Sequence, residues 1–255
     1  MHILVTNDDG VRAPGLLALA QAMKPLGKIT VLAPDQNWTA GGHVKTLHRP
    51  LRVREAPLDD GTPALASDGA PSDCVALAVL GLVEEKIDLV VSGINPNANM
   101  GHDITYSGTV TAAMEAVVSG IPGIAFSLAS PGTVPEELDF GPAGEVARHI
   151  VRVAAAEGLQ PDLLLNVNIP YLPSAELNGI CITRQGLRVY RDKLDARRDP
   201  RGRPYYWIGG DLPTGVPDEG TDIGAMEDGC VSITPLQLDL TDRHRLDELA
   251  RWDWS

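Results

Sequence analysis

Short apolar runs rich in β-branched residues recur along the first two thirds of the chain, and each ends abruptly in polar residues or Gly. Ile3-Leu4-Val5, Ile29 to Ala33, Ile87 to Val91, Gly123 to Ser127 and Leu163 to Ile169 read as strands, and near-continuous apolar runs suit strands covered on both faces. Between them, apolar residues fall at helical spacing. Leu16, Leu17, Leu19, Ala20 and Met23 predict a helix over 13–26, with Pro14 in its first turn and Gly27 ending it. Further helices are predicted over 75–83, 106–119 and 143–157. The remaining connections are a polar loop over 34–48, a strand-like Leu51 to Arg54, a turn-rich stretch over 57–69 and a loop from Ala129 to Pro142. Strands alternating with helices of about 10 to 15 residues imply βαβ units, a parallel sheet and helices on both of its faces.

The alternation stops near Pro170. Beyond it come Ile180 to Thr183, a basic stretch from Arg184 to Arg203, the aromatic Tyr205-Tyr206-Trp207, a Gly/Pro/acid-rich loop over 209–220 and strand-like Val231 to Thr234. This predicts a β-rich appendage. Its aromatics suit an oligomer contact, whereas Arg184, Arg188, Arg191, Arg197, Arg198, Arg201 and Arg203 equally suit a solvated face.

Composition narrows the function. A length of 255 residues, 44% of them hydrophobic, supports one large α/β domain or a domain with an appendage. The net charge of −13 argues against nucleic-acid polymers, because neutralising phosphates needs a basic surface. Three scattered cysteines, Cys74, Cys181 and Cys230, with no CxxC, favour a reducing compartment over a disulfide framework or zinc cluster. The chain opens directly on its first strand, without the pattern of a signal peptide, and no apolar run reaches membrane-spanning length, so a cytoplasmic protein is expected.

Three polar clusters follow expected parallel strands: Asn7-Asp8-Asp9-Gly10, Asp35 to Gly42, and Ser92 to Asp103. If those strands are neighbours, the clusters meet at one crevice at the carboxyl edge of the sheet. Asn-Asp-Asp-Gly is ordinary turn chemistry. It also offers two adjacent carboxylates, which are costly to desolvate unless a cation or donors neutralise them. Hard divalent cations take oxygen ligands, and Asp8, Asp9, the Thr39 hydroxyl and the Asn95 amide oxygen would form such a set. Asn95 reads equally well as a turn residue. Ser107-Gly108-Thr109 opens a helix, where free N–H groups and hydroxyls suit an anion, although Ser107 is also an ordinary N-cap. Neither GxxxxGK[ST] nor a GxGxxG after the first strand is present.

These motifs resemble one family. Val-Thr-Asn-Asp-Asp-Gly at 5–10, Ala33-Pro34-Asp35, Ser92-Gly93-Ile94-Asn95, Tyr106-Ser107-Gly108-Thr109-Val110, Asn166-Val167-Asn168-Ile169-Pro170 and Ser232-Ile233-Thr234-Pro235-Leu236 together are similar to the SurE family, nearly end to end. The resemblance implies a Rossmann-like three-layer α/β/α core over residues 1–175 with a mostly parallel sheet. It also implies a C-terminal extension over 176–255, exchanged between subunits in a homodimer or homotetramer. It implies a metal-dependent 5′-nucleotidase, a phosphoric monoester hydrolase acting on nucleoside monophosphates, with short polyphosphate a further substrate of some members.

The implied cofactor is one divalent metal per subunit, magnesium or manganese. Asp8, Asp9, Thr39 and Asn95 are its implied ligands, and Asp8, Asp9 and Asn95 the implied catalytic residues. On the reading of the helix start above, Asn95, Ser107, Gly108 and Thr109 are expected to hold the phosphate as charge develops. Position 39 is usually Ser in the family, and Asn97 stands where Gly is usual; Asn tolerates the backbone such a Gly supplies.

Two other readings stay open. Haloacid-dehalogenase-type phosphatases form an aspartyl-phosphate on Asp-x-Asp, but Gly10 stands where the second Asp would be. A receiver domain needs an acceptor Asp ending its third strand and a Lys after its fifth, and this chain has Arg54-Glu55 and Ser127 there. A non-catalytic nucleotide-binding protein would bind ligand without releasing phosphate.

Overall fold

The computed structural model describes residues 1–130 and 138–254. Of the loop expected from Ala129 to Pro142, residues 131–137 lie outside the described residues. The strands are β1 (His2–Thr6), β2 (Lys28–Pro34), β3 (Val53–Glu55), β4 (Leu65–Ser67), β5 (Leu89–Asn95), β6 (Gly123–Ala129), β7 (Leu164–Pro170), β8 (Ile180–Ile182), β9 (Leu187–Arg198), β10 (Pro204–Val216) and β11 (Val231–Pro235). The helices are α1 (Pro14–Met23), α2 (Pro71–Leu77), α3 (Gly108–Val118), α4 (Gly141–Glu157), α5 (Asp222–Glu227) and α6 (Arg243–Leu249).

Nine strands form one sheet in the order β3-β4-β2-β1-β5-β6-β7-β11-β8. From β4 to β7 every pairing is parallel. Numbered among themselves, these six parallel strands follow the doubly wound order 3-2-1-4-5-6, so the winding reverses between β1 and β5. That reversal opens a crevice at the carboxyl ends of these two strands.

The apolar runs are continuous because both faces are covered. Ile3 and Val5 enter a core with Leu16, Leu19 and Ile150 of α1 and α4. Leu4 and Val90 enter the opposite core with Val75 of α2 and Ala112 and Ala116 of α3. The three layers expected of the fold are therefore present, with a pair of helices on each side of the sheet.

Several boundaries differ from expectation for identifiable reasons. Helix α2 starts at Pro71 rather than Val75, because the Asp73 carboxylate accepts the Ala70 N–H at 2.9 Å and caps the first turn. It gives way after Leu77 to a π-helical turn over Ala78–Leu82. Ser92 to Asn95, expected just past a strand, are its last residues. Strand β4 sits inside the stretch read as turns, and α5 and α6 were not expected.

The C-terminal residues divide in two. Strand β11 pairs antiparallel with β7 and β8 parallel with β11, so both extend the main sheet past residue 175. Strands β9 and β10 pair only with each other, as a long antiparallel hairpin. Residues 209–216, expected as loop, belong to β10; Pro213 is tolerated where the register shifts between Asp211 and Thr214.

Candidate active site

The loop after β1 is a rigid turn. The Asn7 side chain closes it from both directions: Gly10 N–H donates to Asn7 Oδ1 at 3.2 Å, and Asn7 Nδ2 donates to Gly10 O at 3.1 Å. Asp8 O accepts from Trp38 N–H at 2.7 Å, which ties the turn to the loop after β2. The turn thus projects Asp8 and Asp9 into the crevice between β1 and β5.

The two carboxylates have different surroundings. Asp8 is buried, and the Thr109 hydroxyl donates to its Oδ1. The N–H groups of Gly108 and Thr109, at the start of α3, also face it. Burial raises its carboxyl above the usual range, and these donors oppose that rise. Asp9 accepts no hydrogen bond among the described residues. Burial first and then the charge of Asp8 push it up to about 7. An acidic pair with one uncompensated member is the electrostatic setting that a bound cation relieves.

Asn95 completes one wall. The β5–β6 register shifts between Ser92 and Asn95, and such an irregularity re-aims side chains at a strand end. Asn95 Nδ2 donates to Asn97 O, which leaves the amide oxygen as the atom available to a metal. Thr39 forms the other wall from an exposed loop anchored on α3. Gly42 N–H donates to Tyr106 O at 3.0 Å, Lys45 Nζ donates to buried Glu115 at 2.8 Å, and the His43 ring lies 2.9 Å from the same carboxylate.

One cleft of about 620 Å³ holds Asp8, Asp9, Thr39, Asn95 and Ser107 together in its lining. No group of three His, Cys, Asp or Glu able to hold a metal occurs among the described residues. The donors that converge here are carboxylate, hydroxyl and amide oxygens instead, a set suited to a hard cation and unlike a zinc cage.

The helix start behaves differently from the simple anion site expected. Thr109 is fully buried, and neither it nor Gly108 lines the cleft; both face Asp8. The anion at the α3 N-terminus is the protein's own carboxylate. Ser107 does line the cleft. Its Oγ accepts the Val110 N–H at 3.1 Å, which leaves its hydroxyl hydrogen free to donate.

Sequence reasoning did not find the residues that hold this arrangement in place. Asn99 anchors the loop after β5: its N–H donates to Asn168 Oδ1 at 2.8 Å, and its carbonyl accepts from Asn166 Nδ2 at 2.8 Å and Asn168 Nδ2 at 3.0 Å. Buried Asp222 accepts N–H groups from Gly101 (2.8 Å), Gly186 (2.7 Å) and Ile223 (2.8 Å), joining that loop to the base of the hairpin. Arg188 of β9 reaches the cleft rim and donates to Asp103 at 2.5 Å, so one of the seven arginines read as arm or solvated face belongs to the site.

The model of the family described as Survival protein SurE matches residues 3–192. This chain belongs to the SurE family. Over their full lengths, it is 53% identical to the 5′-nucleotidase SurE of Chloroflexus aggregans. It is 52% identical to that of Herpetosiphon aurantiacus, covering 100% of this chain and 99% of the relative. The crystal structure of the SurE protein from Aquifex aeolicus superposes with a TM-score of 0.83 at 43% identity, covering 98% of each chain. That likeness spans the parallel core and the C-terminal strands alike. The SurE motifs at 7–10, 92–95 and 106–110 are the segments that meet at the cleft. The motif at 166–170 supplies the asparagines beneath it.

Proposed function

We propose that this chain is a metal-dependent 5′-nucleotidase that hydrolyses nucleoside monophosphates to nucleoside and phosphate. The observation that carries this reading is the Asp8–Asp9 pair at the strand-order reversal, with Asp9 accepting no hydrogen bond among the described residues, in a cleft large enough for a nucleotide. The names of the relatives agree with it.

Asp8, Asp9, Thr39 and Asn95 would hold one divalent cation, magnesium or manganese. When bound, the cation supplies positive charge against the phosphoryl oxygens and makes water more acidic. The protein's groups divide the remaining work. Asp8 is locked by Thr109 and the start of α3, and so serves as a fixed ligand. Asp9, free of donors, orients the attacking water and accepts its proton at the carboxylate. The Ser107 hydroxyl donates to the phosphate as charge develops, and the Asn95 wall closes the opposite side.

The β9–β10 hairpin is the contact of a homodimer or homotetramer. Leu194 at 67%, Trp207 at 61% and Ile208 at 84% exposure support this reading, because solvent covers them in the single chain. Among the described residues no helix is long and apolar enough to cross a membrane. The free cysteines suit the cytoplasm.

A phosphate-release screen over nucleoside monophosphates and short polyphosphate, crossed with several divalent metals, tests the reading. Release from nucleoside monophosphates only with metal is expected. Binding without release at any metal concentration would overturn it, and so would a phosphoenzyme trapped by acid quench.

A further inference from the structure

The acidic end of the cleft accounts for a phosphate and a metal, but the cleft extends well past them. Its lining also includes Tyr106, Met100, Arg188 and Pro213. Two of these have no role in the chemistry above. Tyr106 is 61% exposed although it directly precedes Ser107. Its backbone is fixed from two sides: its N–H donates to Asp103 O at 3.0 Å, and its carbonyl accepts from Gly42 N–H at 3.0 Å. A large aromatic ring held on a rigid backbone, open to a cleft and adjacent to a phosphate site, is a stacking platform.

Among the described residues, Arg188 is the only cationic side chain in the cleft lining. Its Nε donates to Asp103, which also accepts the Tyr190 hydroxyl at 2.6 Å, and its Nη1 lies 3.5 Å from Pro213 O. These contacts fix the guanidinium plane and leave Nη2 hydrogens to donate. The side chain is mostly buried, with 16% of its surface exposed. A fixed, planar donor fork suits ring nitrogens, carbonyls and sugar hydroxyls.

We propose that Tyr106 and Arg188 bind the nucleoside half of the substrate. The base stacks on the Tyr106 ring, and Arg188 donates to polar atoms along the base or ribose edge. The inference rests on the nucleotidase reading and adds to it: the hairpin that leaves the sheet at Leu187 also forms the part of the site that tells a nucleotide from a simple phosphate ester.

The test compares kcat/KM for AMP with that for ribose 5-phosphate, which carries the same ester without a base. In Tyr106→Leu the preference for AMP falls on the order of 10- to 100-fold, the scale of one base stacked on one aromatic ring, chiefly through KM. Tyr106→Phe keeps the preference, because the ring face remains. Arg188→Gln reduces the preference and raises the inhibition constant of adenosine, while inhibition by inorganic phosphate stays the same. Equal losses on AMP and ribose 5-phosphate in Tyr106→Leu, or an unchanged preference, would overturn the proposal. If the wild type released phosphate from neither ester, the nucleotidase reading itself would fail.

Discussion

Gly108 lies directly against Asp8: a Cβ on Gly108 would fall 2.6 Å from the Asp8 Cβ and 2.9 Å from its Oδ2. No side chain fits there without moving the carboxylate. Gly108→Ala should therefore weaken metal binding and turnover about 10- to 100-fold, the usual cost of disturbing the groups that orient a ligand. The protein should stay folded, destabilised by roughly 1–3 kcal/mol for the overpacking. Metal titration calorimetry together with thermal unfolding separates the two effects.

The Thr109 hydroxyl makes its bond to Asp8 in a fully buried position. Thr109→Val keeps the shape and removes the donor. It should lower metal affinity by about 10-fold or more, whereas Thr109→Ser should remain close to wild type. Equal behaviour of the two variants would deny the hydroxyl any part in holding Asp8.

The raised carboxyl of Asp9 gives a pH dependence of definite sign. In the unfolded chain it titrates near its ordinary value of 3.8, and in the folded, metal-free protein at about 7. Between these values the folded state binds more protons, so the metal-free protein gains stability as pH falls from about 7 toward 4. Metal affinity moves the other way. Below about pH 7 a proton competes for Asp9, and affinity should fall about tenfold per pH unit, the slope for one competing proton. Asp9→Asn should flatten the stability trend in thermal unfolding measured from pH 5 to 8.

Asp222 holds three N–H groups with one carboxylate, two from separate segments at Gly101 and Gly186 and one from its own neighbour Ile223. Asp222→Ala leaves those donors buried without a partner, at about 1–3 kcal/mol for an orphaned group. It should lower Tm and raise KM, because Gly101 and Gly186 position Met100 and Arg188. A lower Tm with no change in KM would show that the hairpin base does not position the cleft.

Much of this arrangement was legible before the structure. The runs at Ile3-Leu4-Val5 and Ile87 to Val91 marked buried parallel strands, and the polar clusters at their ends pointed to one crevice. The order of strands then brings Asp8, Asp9, Thr39 and Asn95 together. The support around them was not legible, because it depends on contacts across long sequence separations. Thr109 reaches back 101 residues to Asp8, and Asn166 lies 67 residues from Asn99. A Thr or Asn at a strand or helix end looks the same whether it caps, ligates or holds another ligand. Residues 209–216 of β10 read as loop because they pair with β9, away from the core, and so carry no alternating apolar pattern. Strand β4, at three residues, is too short to show a period.

The central claim is that the Asp8–Asp9 pair holds a divalent cation required for phosphomonoester hydrolysis. The most direct measurement is the rate of phosphate release from AMP by metal-stripped protein in excess EDTA, then after adding back magnesium or manganese, beside Asp9→Asn under the same conditions. The account predicts no release from the stripped protein, recovery on adding either metal, and no recovery in Asp9→Asn. Full AMP hydrolysis in EDTA, or by Asp9→Asn, would contradict it.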